Sequence, residues 1–176
     1  MRIRNFIYRQ TDLSVYGKME QTQNHTQQLD TKLLFNPEIA KNAKTNHTTE
    51  IPVLWSQLDA NGHVNNGTYQ FYLDEARMQA LEEEGFSISL MRDANIGPVI
   101  QKVEIKYSKP VQHPETVLIE TTFSEIKGFR GKVHQTIRRK SDNEKVCEAT
   151  FDALFFDFTK NRPWKLPEVI RNKYTN

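Results

Sequence analysis

The stretch Asp59-Ala60-Asn61-Gly62-His63-Val64-Asn65-Asn66-Gly67-Thr68-Tyr69 sets an acid, an amide and an imidazole at alternate positions: Asp59, Asn61 and His63. Two more amides, Asn65 and Asn66, follow, and an amphipathic helix begins directly after them. Polar and charged side chains are costly to bury unless they are partnered. A merely connecting loop has no need of so many. A carboxylate close to the free N–H groups of a helix N-terminus can attack a carbonyl carbon and steady the oxyanion that results.

Downstream of this loop, the spacing of Tyr69, Tyr72, Leu73, Ala76, Ala80 and Leu81 predicts a helix from about Gly67 to Glu84. Phe71 and Met78 lie off that stripe, which predicts a helix wrapped over much of its circumference. Gly85 suits the C′ position that ends a helix. Glu82, Glu83 and Glu84 sit at the wrong end for the macrodipole, so packing must outweigh them. The apolar period then changes to two. Val103, Ile105 and Tyr107 alternate with charged residues; Val117 to Phe123, Phe129 to Ile137 and Lys145 to Phe158 read as three further strands. The last is apolar on both faces around Ala153 to Phe156, as in an interior strand. Pro110 to Glu115, Lys127-Gly128 and Ser141-Asp142-Asn143 supply the turns.

Upstream, TTEIPVLW reads as a first strand, and Pro52 places it at an edge or a bulge. The order is one strand, one long helix, then four strands, so one sheet must curl around one helix. Residues 1–45 are rich in Gln, Asn, Thr and Lys and read as a polar arm, mobile or carrying a short helix within Leu29 to Ala43, with Pro37 at its start. Residues 46–176 form the domain proper.

The composition narrows the class. At 176 residues and 37% hydrophobic the chain holds one core. No apolar run approaches the ~20 residues needed to span a bilayer, and no apolar segment follows the basic start, which argues against a secretory signal. A net charge of +2 does not suggest a nucleic-acid binder. The single cysteine, Cys147, excludes an intrachain disulfide and reads as a small core residue in a reducing, cytoplasmic compartment. No Cys/His cluster has metal-ligand spacing.

The element order and the loop together resemble the hot-dog fold, an α+β architecture in which an antiparallel sheet wraps one long central helix. The resemblance is to its acyl-thioester hydrolase branch, the 4-hydroxybenzoyl-CoA thioesterase-like and acyl-ACP thioesterase-like families. Their signature D-x-N-x-H-V-N-N-x-x-Y is matched by Asp59, Asn61, His63, Val64, Asn65, Asn66 and Tyr69. The ending FDFTKNRPWKLPEVI is similar as well, so the likeness spans about Thr48 to Ile170. It implies that Asp59 is the catalytic carboxylate, as nucleophile or as general base for water. Asn61 and His63 match the amide and imidazole that accompany it, and the backbone N–H at Asn66 would polarise the carbonyl. Tyr69 is carried over to substrate binding. The resemblance implies acyl-CoA, then acyl-ACP, as substrate, with water and without a cofactor, in fatty acid metabolism. The plant acyl-ACP enzymes hold two hot-dog units in one chain. This chain holds one, so a homodimer or homotetramer would restore the pair, with the site between subunits.

Simpler readings stand beside these. Asp59 with Asn61 and Gly62 is also ordinary turn chemistry, Asn61 can serve only to orient the loop, and Asn65 suits a helix cap. A desolvated Asp59 would have a raised pKa and be the better base. Some hot-dog thioesterases use a helix carboxylate, which here would be Glu75, though an i,i+4 or solvent partnership on the Arg77 face is the simpler reading. Arg130 and Lys132, with Lys127, Arg138, Arg139 and Lys140, are candidates for the carrier's phosphates or a solvated strand face. A non-catalytic acyl-thioester binding module is the competing function, a hydratase the competing enzyme.

Overall fold

The computed structural model describes residues 31–175. In chain order it contains α1 (Pro37–Asn42), β1 (Asn46–Pro52), α2 (Asn66–Glu83), α3 (Ile88–Asp93), β2 (Ile96–Tyr107), β3 (Thr116–Lys127), β4 (Arg130–Arg139), β5 (Lys145–Asp157), β6 (Arg162–Pro163) and α4 (Glu168–Lys173). The strands form one antiparallel sheet in the order β1-β3-β4-β5-β2, with β6 added to β5. β1 and β2 are therefore the edges of the main path, which suits Pro52 at the end of β1. The period-two patterns put Val117, Ile119, Val133, Ile137 and Phe151 on the face that meets Tyr72, Leu73 and Ala76 of α2. A second cluster, under the C-terminal half of α2, joins Leu81, Phe86, Met91, Phe155, Leu166 and Ile170.

α2 begins one residue earlier and ends one residue earlier than its period predicts, with Gly85 at φ 89° just beyond it. A Cβ on Gly85 would lie 2.4 Å from the carbonyl oxygen of Asn36, so both conformation and space call for glycine there. The expectation of a helix wrapped nearly all round is corrected: Phe71 is 75% exposed, because the sheet covers only the face bearing the stripe. The short helix expected near Pro37 is α1, capped by Asn36, whose side chain accepts from Glu38 N at 3.0 Å. Leu34 and Ala40 are buried, whereas Leu33 and Ile39 are exposed. Residues 1–30, the larger part of the expected arm, lie outside the described residues. α3 has no counterpart in the sequence reading; at six residues it is too short to show a period. Cys147 is fully buried, and burial pushes its thiol up to about 12.

Candidate functional site

The loop before α2 is a closed hairpin. Leu58 and Val64 form an antiparallel bridge, Asp59 N donates to His63 O at 2.7 Å, and Asn65 N donates to Gln57 O at 3.0 Å. The Asp59 carboxylate braces it from inside: Oδ1 accepts from Asn61 N at 2.8 Å and from His63 N at 3.2 Å. Gly62, at φ 72°, supplies the left-handed residue of the turn. The hydrogen bond from Asn61 N, then that from His63 N, holds the carboxyl below its ordinary value of 3.8. The Asn61 side chain also lies close enough to the carboxylate to favour its charged form. The expectation of a raised, more basic Asp59 is thereby corrected within this chain. Backbone N–H groups stabilise the charged form, and there is little desolvation to oppose them.

Asn65 caps α2 as its residue type predicts: its side chain accepts from Gly67 N at 2.9 Å, and its carbonyl from Thr68 N at 2.9 Å. That leaves the N–H of Asn66 without an acceptor among the described residues. Asp59 and Asn66 thus belong to one hairpin and the helix turn it leads into, and the Asn66 N–H stays open among the described residues. Asn61 is exposed there and His63 half-buried. Tyr69 is buried, its ring centroid 5.2 Å from that of Tyr107, and burial pushes its hydroxyl up to about 12.

Two residues that the sequence did not mark support this corner. Gln57 Oε1 accepts from Tyr72 Oη at 2.6 Å and from Leu54 N at 2.7 Å, tying the loop to the helix it precedes. Tyr107, the last residue of the β2 edge, donates from Oη to Asn66 O at 3.2 Å. Both are ordinary residues in their segments, and only the tertiary fold brings them here.

Other expected partners lie elsewhere. Arg130 pairs with Leu154 at the far end of β4, whereas Arg139, at the near end, donates to Pro110 O beside the hairpin. Ten residues of strand separate those ends, about 30 Å at ~3.3 Å per residue. Within one chain, then, Arg130 and Lys132 do not reach the Asp59 loop. Most of the basic set is also paired locally: Lys132 with Glu125 at 2.9 Å, Arg138 with Glu120 at 3.9 Å, Arg139 with Asp142 at 2.7 Å and Lys140 with Glu50 at 2.6 Å. Glu75 accepts from Gln79 at 2.8 Å and is not the partner of Arg77, which turns inward and pairs with Asp74. Among the described residues no cluster of His, Cys, Asp and Glu could hold a metal ion, and no helix is long and apolar enough to cross a membrane.

A sheet curled around one long helix, with an acidic hairpin at the helix N-terminus, defines a hot-dog protein of the thioesterase class. Residues 53–174 match the model of the thioesterase-like superfamily, and the chain belongs to that family. It is 28% identical over 125 residues to the long-chain acyl-CoA thioesterase FadM of Escherichia coli, covering 71% of this chain and 94% of that one. It is 25% identical over 130 residues to the chloroplastic acyl-acyl carrier protein thioesterase ATL3 of Arabidopsis thaliana, covering 74% and 68%. Among solved structures the PA2801 protein of Pseudomonas aeruginosa superposes with a TM-score of 0.63 at 31% identity, over 72% of this chain and 96% of that one.

Proposed function

We propose that the chain hydrolyses acyl-CoA, with acyl-ACP as second substrate, and that Asp59 is the carboxylate that does it. The observation that supports this reading is an acidic hairpin, braced by Asp59, that leads directly into the first turn of α2, where the Asn66 N–H has no acceptor among the described residues. The Asn66 N–H and the positive end of the helix stabilise the oxyanion formed when the thioester carbon is attacked. Removing such a donor costs roughly 3 kcal/mol in the transition state. In direct attack the ionised Asp59 oxygen bonds to the acyl carbon, the C–S bond breaks and the thiolate leaves. Water then cleaves the acyl–Asp59 anhydride, releasing the acid and restoring the carboxylate. The general-base route, in which Asp59 takes a proton from water, uses the same atoms. Asn61 and His63 hold the loop and border the acyl carbonyl, and Tyr69 backs the site from the core. The buried thiol of Cys147 fits a reducing, cytoplasmic setting.

The working unit in this reading is a homodimer. β2 is an open edge carrying the exposed apolar residues Ile100, Val103 and Tyr107. Antiparallel pairing of two β2 edges sets the Tyr107 end of one chain, beside its Asn66, against the Ile96 end of the other. Arg130, aligned through Leu154 with Val99, lies toward that second end and would serve the partner's site rather than its own, while Lys132, aligned through Asp152 with Lys102, lies midway along the edge. Thiol release from a panel of acyl-CoAs and acyl-ACPs tests the hydrolase reading, and molar mass in solution tests the dimer. Tight binding without thiol release by any member of the panel would favour the binding-module reading.

A further inference from the structure

A cavity of about 90 Å³ lies between the C-terminal half of α2 and the sheet. Met78, Leu81, Phe86, Phe123, Ile126 and Phe155 make it largely apolar, and Pro98 and Ile100 of the β2 edge form its outer wall. One wall is charged. Arg77, 6% exposed, lies with its guanidinium carbon 4.0 Å from the centre of the Phe151 ring. Its Nη1 donates to Gln135 Oε1 at 3.0 Å and its Nη2 to Asp74 Oδ1 at 2.7 Å. Its Nε is buried and has no partner among the described residues. Gln135 cannot turn to serve it, because Gln135 Nε2 already donates to Leu73 O at 2.9 Å and to Thr121 Oγ1 at 3.0 Å. A buried charged donor left without an acceptor is costly and calls for an explanation.

We propose that this cavity takes the distal part of the substrate's acyl group, and that Arg77 selects acyl groups bearing a neutral acceptor oxygen there, a hydroxyl or a keto group, over plain alkyl chains. The proposal rests on the hydrolase reading and names its substrate class. Size sets the distal part as the occupant: the space is smaller than the roughly 150 Å³ of an engineered cavity that admits benzene, so it holds a few carbons and not a whole chain. Charge sets the oxygen as neutral. Asp74 already partners the guanidinium and Glu84 also lines the cavity, so a terminal carboxylate would add a further negative charge. Position supplies the route, because the outer wall belongs to the β2 edge, which pairing sets beside the other chain's Asn66.

The test compares kcat/KM for straight-chain acyl-CoAs of increasing length with their hydroxylated and keto counterparts. At one chain length the wild type should prefer the oxygenated substrate by about tenfold or more, the scale of a hydrogen bond to a charged group. Arg77→Met should abolish the preference and Arg77→Lys should restore part of it. Ala153→Met, which fills the cavity without touching Arg77, should abolish it too and keeps the test open if Arg77→Met does not fold. A wild type that favours the plain chain at every length, or either Met variant retaining the preference, overturns the proposal. Binding of non-hydrolysable thioether analogues separates it from the hydrolase reading. No turnover with a retained preference in binding rejects the hydrolase and keeps the cavity's role; turnover without a preference does the reverse.

Discussion

At its N-terminal end α2 leaves the N–H of Asn66 without an acceptor among the described residues; at its C-terminal end the charged groups are paired. Glu84, 1% exposed, accepts from Lys173 Nζ at 2.8 and 3.0 Å and from Tyr174 Oη at 2.5 Å, and lies 3.0 Å from His47 Nε2. The other ring nitrogen of His47 lies 2.6 Å from Glu83. Lys173 also donates to Ala40 O and Ala43 O, so one buried carboxylate gathers α1, β1, α2 and α4. An acidic residue at a helix C-terminus costs about 0.3–1 kcal/mol through the macrodipole. Breaking a buried ion pair costs about 3–5 kcal/mol, so the network outweighs the dipole. The helix spends its polar groups on stability at one end and keeps them available at the other.

Substitutions can break that contrast. The largest effect on folding is expected from Glu84→Ala, which removes the carboxylate shared by Lys173, Tyr174 and His47: a loss of about 3–5 kcal/mol, read by denaturant unfolding. At the open end Asn65→Ala should cost only about 1 kcal/mol of stability, the worth of an N-cap, but should lower turnover because it unsettles the first turn of α2.

The saturated end also predicts a pH window. Burial works against the His47 charge, but hydrogen bonds to Glu84 and Glu83 outweigh it and raise the folded-state value above 6.5. Its contribution is complete below 6.5 and is lost as pH rises through the folded value. Burial likewise works against the Glu84 charge, while His47, Lys173 and Tyr174 pull its value below 4.5. That contribution is complete above 4.5 and is lost as pH falls through the folded value. Both are whole between the two ordinary values, so Tm should peak there and decline on the alkaline side. His47→Gln should flatten the alkaline decline; an unaltered slope would remove His47 from the account. A smaller effect is expected at the β2 edge, where Val103→Glu should weaken dimerisation, read as a concentration-dependent molar mass, without unfolding the protomer.

The open end was the more legible in the sequence. Asp59, Asn61, Gly62 and Asn65 lie within a few residues of one another, and their turn and cap chemistry is local. The period of Tyr69, Leu73 and Ala76 gave the helix, and alternation gave the strands. The closed end was not legible. Glu84 meets Lys173 and Tyr174 across roughly ninety positions, and in the sequence it reads only as an acid at the wrong end of a helix. Arg77 is a similar case. In the sequence it reads as part of a solvated helix face beside Glu75, and only the packing of Phe151 and Gln135 shows that it turns inward. Arg130 is a different case: charge alone does not say at which end of a strand it falls, and within one chain Arg130 lies at the end of β4 away from the hairpin.

The central claim is that Asp59 carries the chemistry while the far end of α2 carries the stability. The measurement that tests it most directly is thiol release from acyl-CoA by Asp59→Asn beside the wild type, at a temperature where both are folded. A fall of about a hundredfold or more, the scale of a lost catalytic carboxylate, with Tm nearly unchanged, is the expected result. Turnover equal to wild type would contradict the assignment and move the chemistry away from this hairpin.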